Sequence, residues 1–162
     1  MDFSDNMNLL QPSGFRVIVD RSRFPNITFF AQSVQMPSLS VNVSEAPFRH
    51  YETVPRPGDS FSYGEVAMQV LLDEDMNVYN ELRQWLVTMV EENYVEQGED
   101  EPTEVDLILS VLTSHNNIAR TITFRNAFIT SLDGFTMEAN VDATSPITFG
   151  ANFRFAYYEI SG

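Results

Sequence analysis

Residues 147–157, with the sequence ITFGANFRFAY, alternate between apolar and polar or small side chains. One face carries Ile147, Phe149, Ala151, Phe153, Phe155 and Tyr157. Alternation with a period of two is typical of a β-strand that buries one face and exposes the other. This stretch is the longest of its kind in the chain, and it predicts that the fold is built around a β-sheet.

Other segments on the N-terminal side of this one also have strand patterns, either alternating or apolar. They predict strands at Phe15–Arg21, Asn26–Ser33, Leu39–Ser44, Phe61–Leu72, Val105–Val111 and around Ile122–Phe124. Asp133–Gly134 is a strong hairpin signal and predicts a further strand over Met137–Val141. About eight short strands indicate a mainly β fold, a β-sandwich or barrel.

One segment has helical periodicity. The acidic residues Asp73–Asp75 precede it and favour a helix start, because carboxylates complement the exposed amide groups there. Residues 76–92 carry an apolar stripe made of Val78, Leu82, Trp85, Leu86 and Met89. We interpret the stripe as the core face of a helix that flanks the sheet.

The composition limits the class of protein. The chain has 162 residues, of which 43% are hydrophobic, enough for one domain with its own core. Residues 1–14 lack a clear period and are expected to form an N-terminal arm, followed by a single β domain over 15–162. We find no signal-peptide pattern and no stretch of membrane-spanning length. The chain has no cysteine, which excludes disulfides and Cys-based chemistry.

The formal net charge is −14, from 23 acidic residues and 9 cationic residues that are all Arg. A surface this acidic repels nucleic acid. The exclusive use of Arg has two interpretations. It reflects a compositional bias of the source, or it serves bidentate contacts at subunit interfaces, where Arg is superior to Lys.

Residues 45–60 form the first candidate interaction segment. They contain three prolines and one glycine, and they mix charged with aromatic side chains. The segment is therefore predicted to be a long loop between two strands. A loop of this length in a small domain is often functional, and the alternative is a plain surface loop.

Residues 91–106 form a second unusual segment, with eight acidic residues and no cation. We expect a solvated loop at the outer surface, because uncompensated carboxylates are costly to bury. A calcium site is not predicted, since consecutive acids at 99–101 do not fit the alternating ligand spacing that such a loop requires.

Catalytic motifs are absent from the sequence. There is no nucleophile elbow, phosphate-binding loop or dinucleotide fingerprint. The two histidines, His50 and His115, lie in segments expected to be a loop and a turn. We therefore expect a protein that is not an enzyme and that needs no cofactor.

Several motifs occur together in a characteristic order. They are Phe24–Pro25–Asn26, Phe29–Val34, Met36–Pro37, Pro47–Phe48, Pro57–Gly58–Asp59, Leu71–Asp75, Tyr79–Leu82, Trp85–Leu86, Phe124–Phe128, Ser131–Leu132 and Ala151–Glu159. Their order and spacing over residues 15–160 resemble the tail tube proteins of T4-like contractile-tailed bacteriophages. The acidic segment 91–106 has no counterpart in this pattern.

The resemblance implies a β-sandwich or barrel with a flanking helix, related to type VI secretion tube proteins. It implies hexameric rings whose strands join into one barrel and which stack into a tube. Implied partners are the tail sheath protein, a baseplate initiator, a tail terminator and a tape measure protein in the lumen. DNA would pass through the lumen without specific binding. The protein would be made in the host bacterial cytoplasm and reside in the virion tail.

In such a tube, the two candidate segments are expected to have different roles. Segment 45–60 would stack one ring on the next, with Phe48, Arg49, Tyr51 and Arg56 as the contact residues. The acidic segment would face the sheath, with the carboxylates of Glu96, Glu99, Asp100 and Glu101. Three alternatives stay open: a tube initiator or tube-end protein of the same tail, a ligand-binding β-sandwich such as a carbohydrate module, and an acidic mimic of DNA.

Overall fold

The computed structural model describes residues 9–19, 24–26, 30–92, 104–140, 142 and 144–162. Within them the elements are, in order, β1 (Phe15–Ile18), β2 (Ala31–Gln35), β3 (Leu39–Arg49), β4 (Glu52–Tyr63), β5 (Val66–Leu71), α1 (Asn77–Glu92), β6 (Val105–Leu112), β7 (Ile118–Leu132), β8 (Thr148–Arg154) and β9 (Tyr157–Ser161). All strand pairs in this part of the chain are antiparallel. The predicted mainly β fold with one helix is confirmed.

The long strand β7 connects the two halves of the main sheet. Its first part pairs with β6 on one side and β9 on the other, and its last part pairs with β8. The hydrogen-bonded path through the sheet is β1-β6-β7-β8-β5-β2. The change of partner occurs near Asn126, whose φ of 54° lies in the left-handed region. The register with β6 shifts there, between Val105 and Leu107, and such a bulge bends a strand.

The core is filled by aromatic side chains from the strands and the helix. Its largest fully buried members are Trp85, Phe124, Phe149, Phe153 and Met68. Trp85 contacts Phe24 with ring centroids 4.7 Å apart and Phe153 with centroids 6.0 Å apart. The indole of the helix thus joins the segment after β1 to strand β8.

Helix α1 begins at Asn77, and the carboxylate of Asp73 accepts hydrogen bonds from the backbone N–H groups of Asn77 (3.0 Å) and Val78 (3.4 Å). These bonds satisfy amide groups that have no partner within the helix. The stripe residues Val78, Leu82 and Trp85 are buried, and Leu86 and Met89 are partly buried against the core. No helix in the described residues is both long and apolar enough to cross a bilayer.

The prediction that residues 45–60 form a loop is wrong, because all of them except the turn at 50–51 belong to the two arms of the β3–β4 hairpin. Proline was the misleading signal. Pro55 and Pro57 face Glu45 and Val43 across the hairpin, at positions where the pairing needs no N–H group from proline. The prolines are therefore compatible with an extended strand.

Other boundaries also differ from the predictions. The second strand begins at Ala31 instead of Asn26, and residues 27–29 lie outside the described part. The strand predicted over Phe61–Leu72 is two strands, separated at Gly64 and Glu65, and the C-terminal strand is broken after Arg154.

Asp133–Gly134 does not form the predicted hairpin, since residues 133–140 contain no strand. Phe135 instead packs on Tyr79, with ring centroids 5.4 Å apart.

One carboxylate is partly buried at the side of the helix. Glu81 Oε1 accepts a 2.6 Å hydrogen bond from Asn26 Nδ2. The other oxygen, Oε2, is buried and has no hydrogen-bond partner among the residues that the structure describes. Burial raises the pKa of Glu81 above its usual value, and the hydrogen bond from Asn26 opposes this shift.

We expect Glu81→Gln to change how stability depends on pH. Because the pKa is raised, the folded state keeps a proton that the unfolded state releases, and the wild type loses stability as pH rises through the folded pKa. The variant cannot titrate here, so its melting temperature relative to the wild type should increase from about pH 4 to pH 7. Thermal unfolding across this range measures the effect, with Glu91→Gln, an exposed site on the same helix, as the control. A constant difference between Glu81→Gln and wild type would contradict the prediction.

Candidate functional site and assembly surfaces

The β3–β4 hairpin is attached to the body of the protein at its base. Tyr63 packs against Phe155 and Tyr158, with ring centroids 5.4 Å and 5.7 Å away. The N–H of Gly64 donates a 2.9 Å hydrogen bond to the carbonyl oxygen of Ser38, which closes the base. No other strand of the described chain pairs with the hairpin. It therefore projects as a ribbon about 35 Å long, at 3.3 Å per residue.

A bulge fixes the shape of the ribbon near its middle. Val41 lies opposite Phe61, but Val43 lies opposite Pro57, so residues 58–60 face Asn42 alone. Only glycine fits at Gly58, because a Cβ atom there would overlap the backbone oxygen of Asn42. The Nδ2 of Asn42 donates a 2.6 Å hydrogen bond to the hydroxyl of Ser60 across the bulge.

One face of the ribbon is apolar and exposed to solvent. Leu39, Val41, Val43 and Phe61 share this face and are between 44% and 65% exposed. A two-stranded ribbon without cover is marginally stable in water, and a contiguous exposed apolar patch is typical of an interaction surface. The hairpin is thus the strongest candidate interface in the described chain.

The tip of the hairpin carries three of the four predicted stacking residues. Phe48 is 63% exposed and Tyr51 is 99% exposed, while the guanidinium of Arg49 lies 5.5 Å from the centre of the Phe48 ring. Arg56 is lower on β4, opposite Ser44. The structure therefore places all four on one projecting element, with two aromatic rings and two cations free to contact a partner.

The opposite end of the sheet is acidic. Strand β5 starts at the base of the hairpin, where Val66 faces Phe153, and ends where Leu71 faces Thr148. Asp73, Glu74 and Asp75 follow β5 closely in the chain. We call these three residues the acidic rim. The hairpin tip and the acidic rim thus lie toward opposite ends of the subunit.

Besides the two hairpin strands, three strands leave one edge unpaired among the described residues, namely β1, β2 and β9. The edges of β1 and β2 line an open cleft of about 610 Å³, whose walls include Phe15, Val17, Ala31 and Val34. An open edge presents unsatisfied N–H and C=O groups, which other strands can pair with. These edges are therefore candidate contacts between neighbouring subunits.

The sequence patterns did not indicate an ion pair that joins three strands. Arg125 on β7 contacts Asp106 of β6 at 2.6 Å and Glu159 of β9 at 3.3 Å. The hydrogen bonds that its guanidinium donates to both carboxylates raise the pKa of Arg125 further above its usual value. This ion pair lies next to the point where β7 changes partner strand. Strand periodicity alone cannot reveal a contact between residues so far apart in the chain.

The acidic segment is largely outside the described residues. The four residues expected to face the sheath lie within 93–103, outside the residues that the structure describes. They are Glu96, Glu99, Asp100 and Glu101. Within the described residues, no group of three or more His, Cys, Asp or Glu side chains is arranged to hold a metal ion.

Comparisons with known proteins agree with this fold. The sequence pattern of the phage tail tube protein family matches residues 7–161. No curated protein sequence matches the chain significantly.

Solved structures give the same result at low sequence identity. A chain of the PVC sheath–tube complex, from an extracellular contractile injection system in the extended state, has a TM-score of 0.68 and 16% identity, and the match covers 96% of this chain and 93% of that one. A chain of the tube-terminating cap of the anti-feeding prophage gives 0.68 and 13%, over 99% and 95%. A chain of the anti-feeding prophage baseplate gives 0.64 and 9%, over 91% of each. At these identities the similarity concerns the fold alone.

Proposed function

The chain belongs to the phage tail tube protein family, and on this premise we propose that its subunits close into hexameric rings that stack into the tube of a contractile tail. As a member of this family it is a structural component of the virion tail and not an enzyme. The finer proposal concerns how subunits meet and what passes through the tube.

The observation that carries the proposal is the placement of the hairpin and the acidic rim toward opposite ends. A contact between two different surfaces is head-to-tail, and when it does not close on itself it produces an open filament. Arg49 and Arg56 of one subunit would meet the carboxylates of Asp73, Glu74 and Asp75 in the next ring. Phe48 and Tyr51 would supply the aromatic contacts that typically dominate interface energy.

Ring closure is a separate contact. The unpaired edges of β1, β2 and β9 need partners, and lateral pairing between neighbouring subunits would satisfy their backbone groups. The same pairing would extend the sheet around a central channel. A net charge of −14 favours passage of DNA, because cations along the channel would hold phosphate groups.

The proposed partners follow from the assembly. The solved structures with this fold include chains of a sheath–tube complex, a baseplate and a terminating cap, so we propose a sheath protein, a baseplate initiator and a tail terminator as partners here. The acidic segment 91–106 would face the sheath. A tape measure protein would fill the channel before DNA, and synthesis would take place in the host bacterial cytoplasm.

A tube initiator or tube-end protein of the same tail is the second candidate. The fold does not separate the two roles, because the baseplate and cap chains match about as well as the sheath–tube chain. The family match favours the tube subunit, and it argues against a ligand-binding module or a DNA mimic.

We expect the purified wild-type protein to form long tubes with a central channel in negative-stain electron micrographs. The proposed ion pairs between hairpin and rim would be partly exposed, so raising the salt concentration should shift the population toward single rings and short stacks. Single rings at every concentration and salt would instead favour a tube-end protein. Monodisperse monomers would overturn the proposed function.

A further inference from the structure

The prolines of the hairpin determine the hydrogen-bond pattern of its two strands. Antiparallel pairs alternate between those that exchange two N–H···O bonds and those whose backbone groups point away from the partner strand. Proline has no N–H, so the pairs Glu45–Pro55 and Val43–Pro57 belong to the second kind. Toward the base, the hydrogen bond from the Gly64 N–H to the Ser38 oxygen marks a bonded pair. Counting from this pair gives the same alternation of bonded and outward-pointing pairs along the hairpin.

The outward-pointing donors are therefore distributed unequally between the two edges. On β3 they belong to the odd-numbered residues Leu39, Val41, Val43 and Glu45, which form an unbroken run before Pro47. On β4 the corresponding run is interrupted in its centre by Pro55 and Pro57. Proline on an exposed edge prevents another strand from pairing there. The β4 edge is blocked, and the β3 edge is open.

The open edge coincides with the apolar face of the ribbon. Leu39, Val41 and Val43 supply both the outward donors and half-exposed apolar side chains on that face. No strand other than β4 pairs with β3 in the part of the chain that the structure describes. A strand added beside β3 would satisfy the donors, and its own side chains on the apolar face would contact those of β3.

We propose that the β3 edge, over residues 39–45, pairs with an open strand edge of a second copy of this chain. The inference rests on the proposed role of the hairpin in tube assembly and names the edge through which it acts. A second copy is the fitting occupant because the subunit itself presents unpaired edges at β1, β2 and β9. Because the β4 edge is blocked by its prolines, pairing can occur only on the β3 side of the hairpin.

Two matched proline substitutions test the assignment. Glu45→Pro removes an outward donor from the open edge and places a proline opposite Pro55. Thr53→Pro removes an outward donor from the blocked edge and places a proline opposite Pro47. Neither change touches a hydrogen bond inside the hairpin. Glu45→Ala controls for the loss of the carboxylate, and Val43→Pro, opposite Pro57, repeats the test at a second site.

Assembly is followed by sedimentation and electron microscopy, and subunit folding by circular dichroism. We expect Glu45→Pro and Val43→Pro to raise the critical concentration for tubes by about tenfold or more, because each contact loses a hydrogen bond. Thr53→Pro and Glu45→Ala should assemble like the wild type. Equal effects of Glu45→Pro and Thr53→Pro, or no effect of either, would overturn the edge assignment while wild-type tubes still support the proposed function. A defect in Glu45→Ala as large as that in Glu45→Pro would also overturn it.

Discussion

Phe48→Ala combined with Arg49→Ala is expected to abolish tube assembly while the subunit stays folded. Both side chains lie at the exposed tip of the hairpin, with the Arg49 guanidinium 5.5 Å from the centre of the Phe48 ring. Neither belongs to the core, so their removal should leave the melting temperature of the subunit unchanged. Both would be lost from every stacking contact of the proposed tube.

The expected effect is large because each ring repeats the contact. Truncating an aromatic anchor costs about 1–2 kcal/mol per contact, which becomes roughly 6–12 kcal/mol per step of a hexameric ring. Circular dichroism and electron micrographs of the same preparation measure folding and assembly. Arg83→Ala with Val90→Ala, an exposed Arg and an exposed apolar residue on α1, is a chemically matched control. Tubes of normal length and stability from the hairpin variant would refute the stacking role of the tip.

The second large effect is expected for Trp85→Ala, which should lower the free energy of unfolding by about 3–5 kcal/mol. Trp85 is 2% exposed and contacts the rings of Phe24 and Phe153. Its removal would leave a cavity where helix α1, the segment after β1 and strand β8 meet. Surrounding side chains on three separate elements cannot all move to fill that space.

Chemical denaturation of subunits kept below the assembly concentration measures this loss. Val87→Ala, on the same helix with a side chain that is 38% exposed, should cost less than about 1 kcal/mol. An unchanged midpoint for Trp85→Ala would mean that the indole does not support the core.

Strand β8 and helix α1 were predictable from sequence because burial acts on one face of each. Phe149, Ala151 and Phe153 alternate with polar residues, and Val78, Leu82 and Trp85 recur at the helical period. Where one face is buried, the local pattern is a direct consequence of the fold. The hairpin lacks this signal, since both faces of β3 are exposed and its prolines resemble those of a loop.

The sequence by itself determined a mainly β protein with one amphipathic helix, a strongly acidic charge and a segment suited to contacts, because these depend on composition and local periodicity. The tertiary structure alone decided that residues 45–60 project as paired strands, and that the hairpin tip and the acidic rim lie toward opposite ends. It also decided which edge of the hairpin can accept another strand. These properties depend on which strands pair and in what register, and pairing between residues far apart in the chain leaves no local pattern.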